Sequence, residues 1–192
     1  MDLLEIMAGR RSVRRYQDMT VSREVLEELL TAACWAPSAD NAQPWHFIAL
    51  TKPEDICAMG ETLERVSEEI RPHLAEMFPN HPRVVERTAA FLRRLGGAPV
   101  YVLVFLRKDY GAHVRDSMLE SVAAAIQNFL LAAHDRGLGA CWVNAATTLG
   151  YGEALRQQFA PELGEFVSII SLGYPSQRTM APPRKPGRWE IR

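Results

Sequence analysis

Hydrophobic positions along the chain fall into two patterns. Short stretches that are apolar on both faces occur at 46–51, 98–106 and 165–172, and the densest carries Val100, Val102, Val104 and Phe105. Runs of this length, rich in β-branched residues, predict strands covered on both sides. A fourth strand is expected at 141–144, entered through Gly137-Leu138-Gly139, a pair of glycines that punctuates the chain. The other pattern is helical. Residues 2–8 read as a short helix stopped by Gly9, and Ser22 can cap a second helix whose Val25, Leu26, Leu29, Leu30 and Ala33 line one face before Pro37 ends it.

Two further helical stretches stand apart. Over 116–136 the apolar positions Met118, Leu119, Val122 to Ile126 and Phe129 to Ala133 wrap nearly the whole circumference, and a helix that is apolar all round has to be covered all round. A central place in one large core would do this, but a small domain has few layers, so the expectation is cover from a second subunit. In 60–97, by contrast, Leu63, Val66, Ile70, Leu74 and Met77 form a narrow stripe on a charged helix. Pro72 is expected to interrupt it by removing a backbone donor. Such a helix is expected to dock by a thin edge and to lie at the low-stability end of the molecule, where lids are found, the alternative being a plain surface helix pair. Phe78, Phe91, His73 and His81 are its candidate ligand-facing side chains.

A length of 192 residues suits one domain, expected to span 1–192, with 60–97 a lid insertion and 176–192 an extended C-terminal arm. Hydrophobic content of 47% and a net charge of −1 are ordinary globular values and argue against polyanion binding; no nucleic-acid partner is expected. Apolar runs shorter than the roughly 18 to 20 residues needed to cross a bilayer, and the want of a basic-then-apolar leader, give the expectation of a cytoplasmic protein without a membrane partner. Cys34, Cys57 and Cys141 share no metal-ligand spacing, so no metal is expected and the three read as buried reduced thiols.

Against that neutral background Arg10-Arg11-Ser12-Val13-Arg14-Arg15 is a local concentration of cations. Guanidiniums offer planar paired donors that match phosphate oxygens, although a basic cluster can equally be a solvated face. A second segment, Pro37-Ser38-Ala39-Asn41 within Pro37-Ser38-Ala39-Asp40-Asn41-Ala42-Gln43-Pro44-Trp45, has prolines at both ends and two amides inside. Each amide presents a donor and an acceptor, which suits the mixed edge of a flat heterocycle better than it suits phosphate, and without other context such a loop could simply cap backbone. At the far end Pro182-Pro183-Arg184-Lys185-Pro186 cannot be helical and could lay two cations back on the Arg10 region, with Trp189 and Ile191 suggesting that the arm docks. No Gly-x-Gly-x-x-Gly and no Gly-x-x-x-x-Gly-Lys-Ser/Thr is present.

Taken together, Arg10-Arg11-Ser12-Val13-Arg14, the loop from Pro37 to Phe47, the run from Ile126-Gln127-Asn128 to Cys141-Trp142, and Leu172-Gly173-Tyr174-Pro175 with the late Arg184-Lys185 resemble the nitroreductase family of FMN-dependent oxidoreductases. The resemblance implies an α+β fold, a mixed central sheet flanked by helices in an intertwined homodimer, with FMN at two interface sites. It implies that Arg10, Arg11, Ser12 and Arg14 hold the FMN phosphate, ribityl and pyrimidine edge, that Pro37, Ser38, Ala39 and Asn41 arrive from the other subunit, and that Arg184 and Lys185 join at the phosphate. Asn144 and Ala145 are the implied neighbours of flavin N5. The activity implied is ping-pong transfer of hydride from NADH or NADPH to a nitroaromatic, quinone or similar small aromatic acceptor, with no acid or base residue demanded of the protein. A reductive dehalogenase or enone reductase on the same scaffold, and a flavin-binding module that stores, senses or breaks down FMN without turnover, are the alternatives. A stretch such as 60–97 would then select the acceptor.

Overall fold

The computed structural model describes residues 2–177 and 179–192; Arg178, inside the expected arm, lies outside the described residues. Its centre is a four-stranded sheet of β1 (Trp45–Leu50), β2 (Val100–Leu106), β3 (Gly139–Val143) and β4 (Phe166–Gly173), in the order β1-β2-β4-β3. The strand pairs are antiparallel, and the parallel component of the expected mixed sheet is a single bridge between Ser12 and Ala140 on the outer side of β3. The predicted strands stand within two residues of the observed ones. Periodicity alone does not separate a short uninterrupted apolar run from a buried helix segment, and here the short length and the β-branched content favour the strand.

Alternation along β2 divides the interior into two cores. Val100, Val102, Val104 and Leu106 face one side, where α2 (Arg23–Cys34) and α6 (Arg115–Asp135) pack. Tyr101, Leu103 and Phe105 face the other side, which is covered by α4 (Gly60–Met77), α5 (Pro82–Arg94) and α8 (Gly152–Phe159). The short α1 (Leu3–Gly9) lies against α6, α3 (Pro53–Ala58) leads into α4, and α7 (Ala145–Thr148) follows β3. Among the described residues no helix is long and apolar enough to cross a membrane.

Helix α6 is covered mainly by its own chain. Met118, Val122, Ala125, Ile126, Phe129, Leu130 and Ala133 are buried against α2 and the sheet, each large side chain contributing about 1.5–3 kcal/mol. Leu119, Ala123, Ala124 and Leu131 remain half-buried on the outer face. The larger-core reading thus accounts for about half the helix surface, and a partner would have only this outer strip to cover.

The 60–97 stretch differs from expectation in two respects. Helix α4 runs through Pro72 without ending, since the proline ring sits on the exposed side and only one carbonyl loses its donor. Its stripe is deeply buried rather than thinly docked: Leu63, Val66, Ile70 and Leu74 join Val85, Ala89, Phe91 and Leu92 of α5 in the second core, and only Met77 is exposed. The Ser67 hydroxyl, itself buried, donates to the Ala89 carbonyl at 2.8 Å and ties the two helices together. The cysteines also depart from expectation, because only Cys141 is buried while Cys34 and Cys57 are exposed. The arm beyond Tyr174 forms no helix or strand among its described residues, and Trp189 and Ile191 stand exposed instead of docking on their own chain.

Two glycines let the Arg10–Tyr16 segment lie close to the body. At Gly139 a Cβ would come within 2.7 Å of the Val13 side chain, and at Gly96, whose φ is +70°, it would come within 2.3 Å of the Arg14 carbonyl oxygen. Gly96→Ala therefore meets both an unfavourable backbone region and a backbone atom that cannot rotate away. It is expected to lower stability by about 2 kcal/mol or more and Tm by roughly 5 °C or more, measured by thermal denaturation.

Candidate functional site

The cationic segment is built by the end of one helix and the edge of the sheet. Asp2 and Glu5 form a reciprocal cap at the start of α1, and α1 closes at Gly9 with Arg10 as its C-terminal cap. The chain then extends. The Val13 amide donates to the Ala140 carbonyl at 3.0 Å, the Gln17 amide to the Tyr174 carbonyl at 2.8 Å, and the Tyr16 hydroxyl reaches the Val13 carbonyl at 2.7 Å and Ser171 Oγ at 2.8 Å. Val13 is buried, so the segment is pinned by its apolar member and its polar neighbours are held at fixed positions.

This arrangement keeps like charges together. Burial lowers the Arg10 pKa, and the positive charges of Arg11 and of Arg184 push it the same way. Arg10, Arg11 and Arg14 form no ion pair among the described residues. Arg11 donates through its Nη1 to the Arg10 carbonyl, yet its Nε is buried without a partner. Clustered cations and an unpartnered buried donor are costly unless an anion completes them. The donor set suits a phosphate monoester, which offers several acceptor oxygens to guanidinium forks and to the Ser12 hydroxyl. Ser12 is bridged to Ala140, beside Cys141, whose thiol pKa burial pushes up. Lys185 is exposed.

Beside the cluster opens a cleft of about 930 Å³, lined by Ser12, Arg14, Arg15 and Gly96 from the sheet side and by Leu74, Phe78, Val84, Arg87, Thr88 and Phe91 from α4 and α5. Among the described residues no carboxylate lines it. The Arg14 guanidinium lies 5.7 Å from the centre of the Phe91 ring, a cation–π distance that joins the two walls. Phe78 and Phe91 therefore stand where a flat ligand would meet them, whereas His73 and His81 are exposed and outside the lining.

The Pro37–Trp45 loop is ordered in a manner that composition alone does not show. It contains a 3₁₀ turn, Ala39–Asn41, and three non-glycine residues in the left-handed region, Asp40 (φ 51°), Asn41 (φ 52°) and Gln43 (φ 44°). Each such residue costs on the order of 1 kcal/mol or more, so the loop is held by its surroundings. The Ala39 amide donates to Ser121 Oγ of α6 at 3.1 Å, the Gln43 amide to Ser38 Oγ at 3.0 Å, and Gln43 Nε2 to Asn41 Oδ1 at 3.2 Å. Trp45 is buried as the anchor and Pro37 is exposed. The loop leads into β1, at the opposite edge of the sheet from β3 and the arginines, about 14 Å away across three strand spacings. One chain thus carries two polar segments on opposite edges.

Asn144 and Ala145 start α7 directly after β3; Asn144 is exposed and its side chain makes no cap. Sequence reasoning missed Arg87, Thr88 and Val84 in the cleft wall, and missed His134. The signal for the first three was available in the spacing 84, 87, 88 and 91, one helical face that contains Phe91. His134, in the last turn of α6, packs against Gly9, where a Cβ would lie 2.7 Å from its Nε2.

Comparison with known proteins agrees with this architecture. A family model described as the nitroreductase family matches residues 7–174. A protein of Methanothermobacter thermautotrophicus, named as an NADH dehydrogenase/NAD(P)H nitroreductase, is 35% identical over 182 residues, covering 92% of this chain and 79% of its own length. The crystal structure of a Desulfovibrio desulfuricans protein named as a nitroreductase, in complex with FMN, matches with a TM-score of 0.67 at 30% identity over 97% of this chain and 93% of that one. A BluB-like flavoprotein from Clostridium difficile 630 matches with a TM-score of 0.71 at 26% identity, covering 97% and 95% of the two chains.

His134 gives the site a pH signature. Burial first, then the charges of Arg10 and Arg11, lowers its pKa below the ordinary 6.5. The folded state therefore favours the neutral ring, and protonation favours the unfolded chain. Stability is full above pH 6.5 and declines as pH falls through that value toward the lower folded pKa. Denaturant midpoints between pH 7 and 5, measured free of phosphate and other bound anions, are expected to fall, with a shallower slope in His134→Gln.

Proposed function

This chain belongs to the nitroreductase family, and from that premise we propose that it is an FMN-dependent oxidoreductase that passes electrons from NADH or NADPH to a flat electron-poor acceptor such as a nitroaromatic or a quinone. The observation that carries this reading is the uncompensated Arg10, Arg11 and Arg14 cluster, with the buried unpartnered Nε of Arg11, whose member Arg14 lines a cleft that has no carboxylate among the described residues.

The redox chemistry is that of FMN when bound: two electrons in from the nucleotide and two out to the acceptor. The chain's own residues bind and orient. Arg10 and Arg11, joined by Arg184 and Lys185 of the arm, neutralise the phosphate, and Ser12 offers a hydroxyl beside them. Arg14, held over Phe91, would offer a positive charge to the flavin pyrimidine and so favour the reduced, anionic flavin electrostatically. Asn144 and Ala145 present backbone at the end of β3, and the α4–α5 hairpin acts as the cover that selects the acceptor. No side chain is required as acid or base, because solvent protonates a nitro or quinone product.

The opposite-edge placement of the two polar segments supports a homodimer in which Pro37, Ser38, Ala39 and Asn41 of one subunit complete the site begun by the arginines of the other. Exposed apolar side chains supply the contact area. Leu3, Leu4 and Met7 of α1, with Leu4 71% exposed, and Trp35, Trp189 and Ile191 are uncovered within one chain, which soluble monomers seldom tolerate in such number. The half-buried strip of α6 belongs to the same surface.

The purified protein is expected to be yellow with FMN and to oxidise NAD(P)H on addition of a quinone with ping-pong kinetics. Arg10→Ala should weaken FMN binding by roughly tenfold to a hundredfold, the loss of about 1.5–3 kcal/mol that a charge-assisted contact represents. Equal retention of flavin through dialysis would remove the assignment of the cluster, and retention without NAD(P)H consumption would point to a flavin-binding module.

Leu4→Glu changes a side chain that its own chain leaves exposed, so the fold should survive by circular dichroism. The dimer should dissociate in sedimentation and release FMN. A native protein that sediments as a monomer with its FMN would overturn the shared site.

A further inference from the structure

The cleft wall formed by α5 carries one more piece of chemistry. Val84, Arg87, Thr88 and Phe91 fall at i, i+3, i+4 and i+7 and all line the cleft, while Val85, Ala89 and Leu92 face the core on the adjoining stripe. Three of these four are apolar or neutral, as is Ala90, which also lines the cleft. The fourth is an arginine with no ion pair among the described residues, although carboxylates are close by in sequence. Those carboxylates are already engaged: Glu86 with Arg71, Glu64 with Arg93 at 3.0 Å, and Glu69 with the Tyr151 hydroxyl at 2.7 Å. Among the described residues Arg87 is thus a cation without an ion pair, one helical turn from Phe91 in a cleft that no acid lines.

Two other described cations line the cleft, in different surroundings. Arg14 is held over Phe91 and donates toward the Ser12 carbonyl at 3.5 Å, and Arg15 belongs to the segment pinned on β3, its carbonyl accepting from the Ser176 amide at 3.1 Å. Arg87 comes from α5, a different element from the segment that carries Arg14 and Arg15, and shares the lining with the apolar side chains of Leu74, Phe78, Val84 and Phe91. A ligand complementary to this wall has a flat apolar body for the rings and a negative group at the Arg87 end, with the neighbouring Thr88 hydroxyl as a further donor.

We propose that the acceptors of this protein are aromatic compounds bearing a carboxylate, and that Arg87, assisted by Thr88, is the specificity-determining residue that binds that carboxylate. This rests on the oxidoreductase reading above and narrows its substrate class. A neutral aromatic of the same shape fills the apolar wall but leaves the Arg87 charge unmatched, so selection arises from the charge-assisted contact. The same open positive wall also attracts an anionic acceptor before contact, an effect that added salt screens.

The test uses 4-nitrobenzoate and 4-nitrobenzamide, nearly equal in shape and different in charge. Binding to the purified flavoprotein is measured by calorimetry without reductant, and turnover is measured separately with NAD(P)H. The native protein is expected to prefer the carboxylate by roughly tenfold or more in Kd, with a preference that shrinks as salt is raised. In Arg87→Gln the preference is expected to collapse to within about twofold, and Arg87→Lys should restore part of it as a point charge without the fork. The proposal is overturned if the native protein binds both compounds equally, or if the preference persists in Arg87→Gln, which would assign it to another cation. It is also overturned if Arg87→Gln instead raises KM for NAD(P)H alone, because the cation would then read the nucleotide. Failure of the oxidoreductase reading has a separate signature: a carboxylate preference in calorimetry with neither compound reduced.

Discussion

The close docking of the Arg10–Tyr16 segment on the sheet is the constraint on which the rest depends. An extended chain bearing four arginines is not held by its charges, which repel, but by Val13 in the core, by backbone bonds to Ala140 and Tyr174, and by Tyr16 reaching Ser171. It can come this near because positions 96 and 139 have no side chain. The same contact fixes the base of the α4–α5 hairpin, since Gly96 at its end packs on the Arg14 backbone. The cationic cluster and the cleft wall are therefore set in register by one approach distance.

The division of the sheet into two apolar faces has a functional counterpart. One face, covered by α2 and α6, carries the strained Pro37–Trp45 loop through the bond from Ala39 to Ser121. The other, covered by α4 and α5, carries the cleft. Burial on both sides makes the sheet a rigid divider, so polar segments placed at its two edges cannot relax toward one another. That rigidity is the physical reason for expecting a second subunit to bring them together.

Electrostatically the molecule is near neutral as a whole and unbalanced at one place. Ion pairs elsewhere couple neighbouring elements, as Arg115 does with Glu165 and Arg136 with Glu28, but among the described residues Arg10, Arg11 and Arg14 have no ion pair and no carboxylate lines the cleft. Stability is forgone there: the pKa values of Arg10 and His134 are lowered first by burial and then by the neighbouring arginine charges. Such local conflict is common where a ligand completes the structure.

Much of the fold was legible in the sequence. The apolar runs located the strands within two residues, and α6 was placed within one residue at each end, because uninterrupted β-branched stretches and a long apolar helix admit few alternatives. The arginine cluster and the Pro37 loop were legible because their composition departs from the rest of the chain. What tertiary structure decided was cover and company. Whether the α6 helix needed a partner depended on α2 lying across it, and the narrow stripe of α4 became core because α5 folds back against it. Cys34 and Cys57 proved exposed although free cysteines are usually buried, since nothing packs over their faces. Arg87 reads as an ordinary surface charge within 82–94, and His134 as a cation suited to a helix end. Their significance comes from the Gly96 contact, which sets the α5 face across a cleft from Arg14, and from Gly9, which lays α1 and its arginines on the end of α6. Periodicity along a chain reports which face of an element is apolar; which other charges that face will meet depends on distances between elements far apart in sequence, and those are settled only by packing.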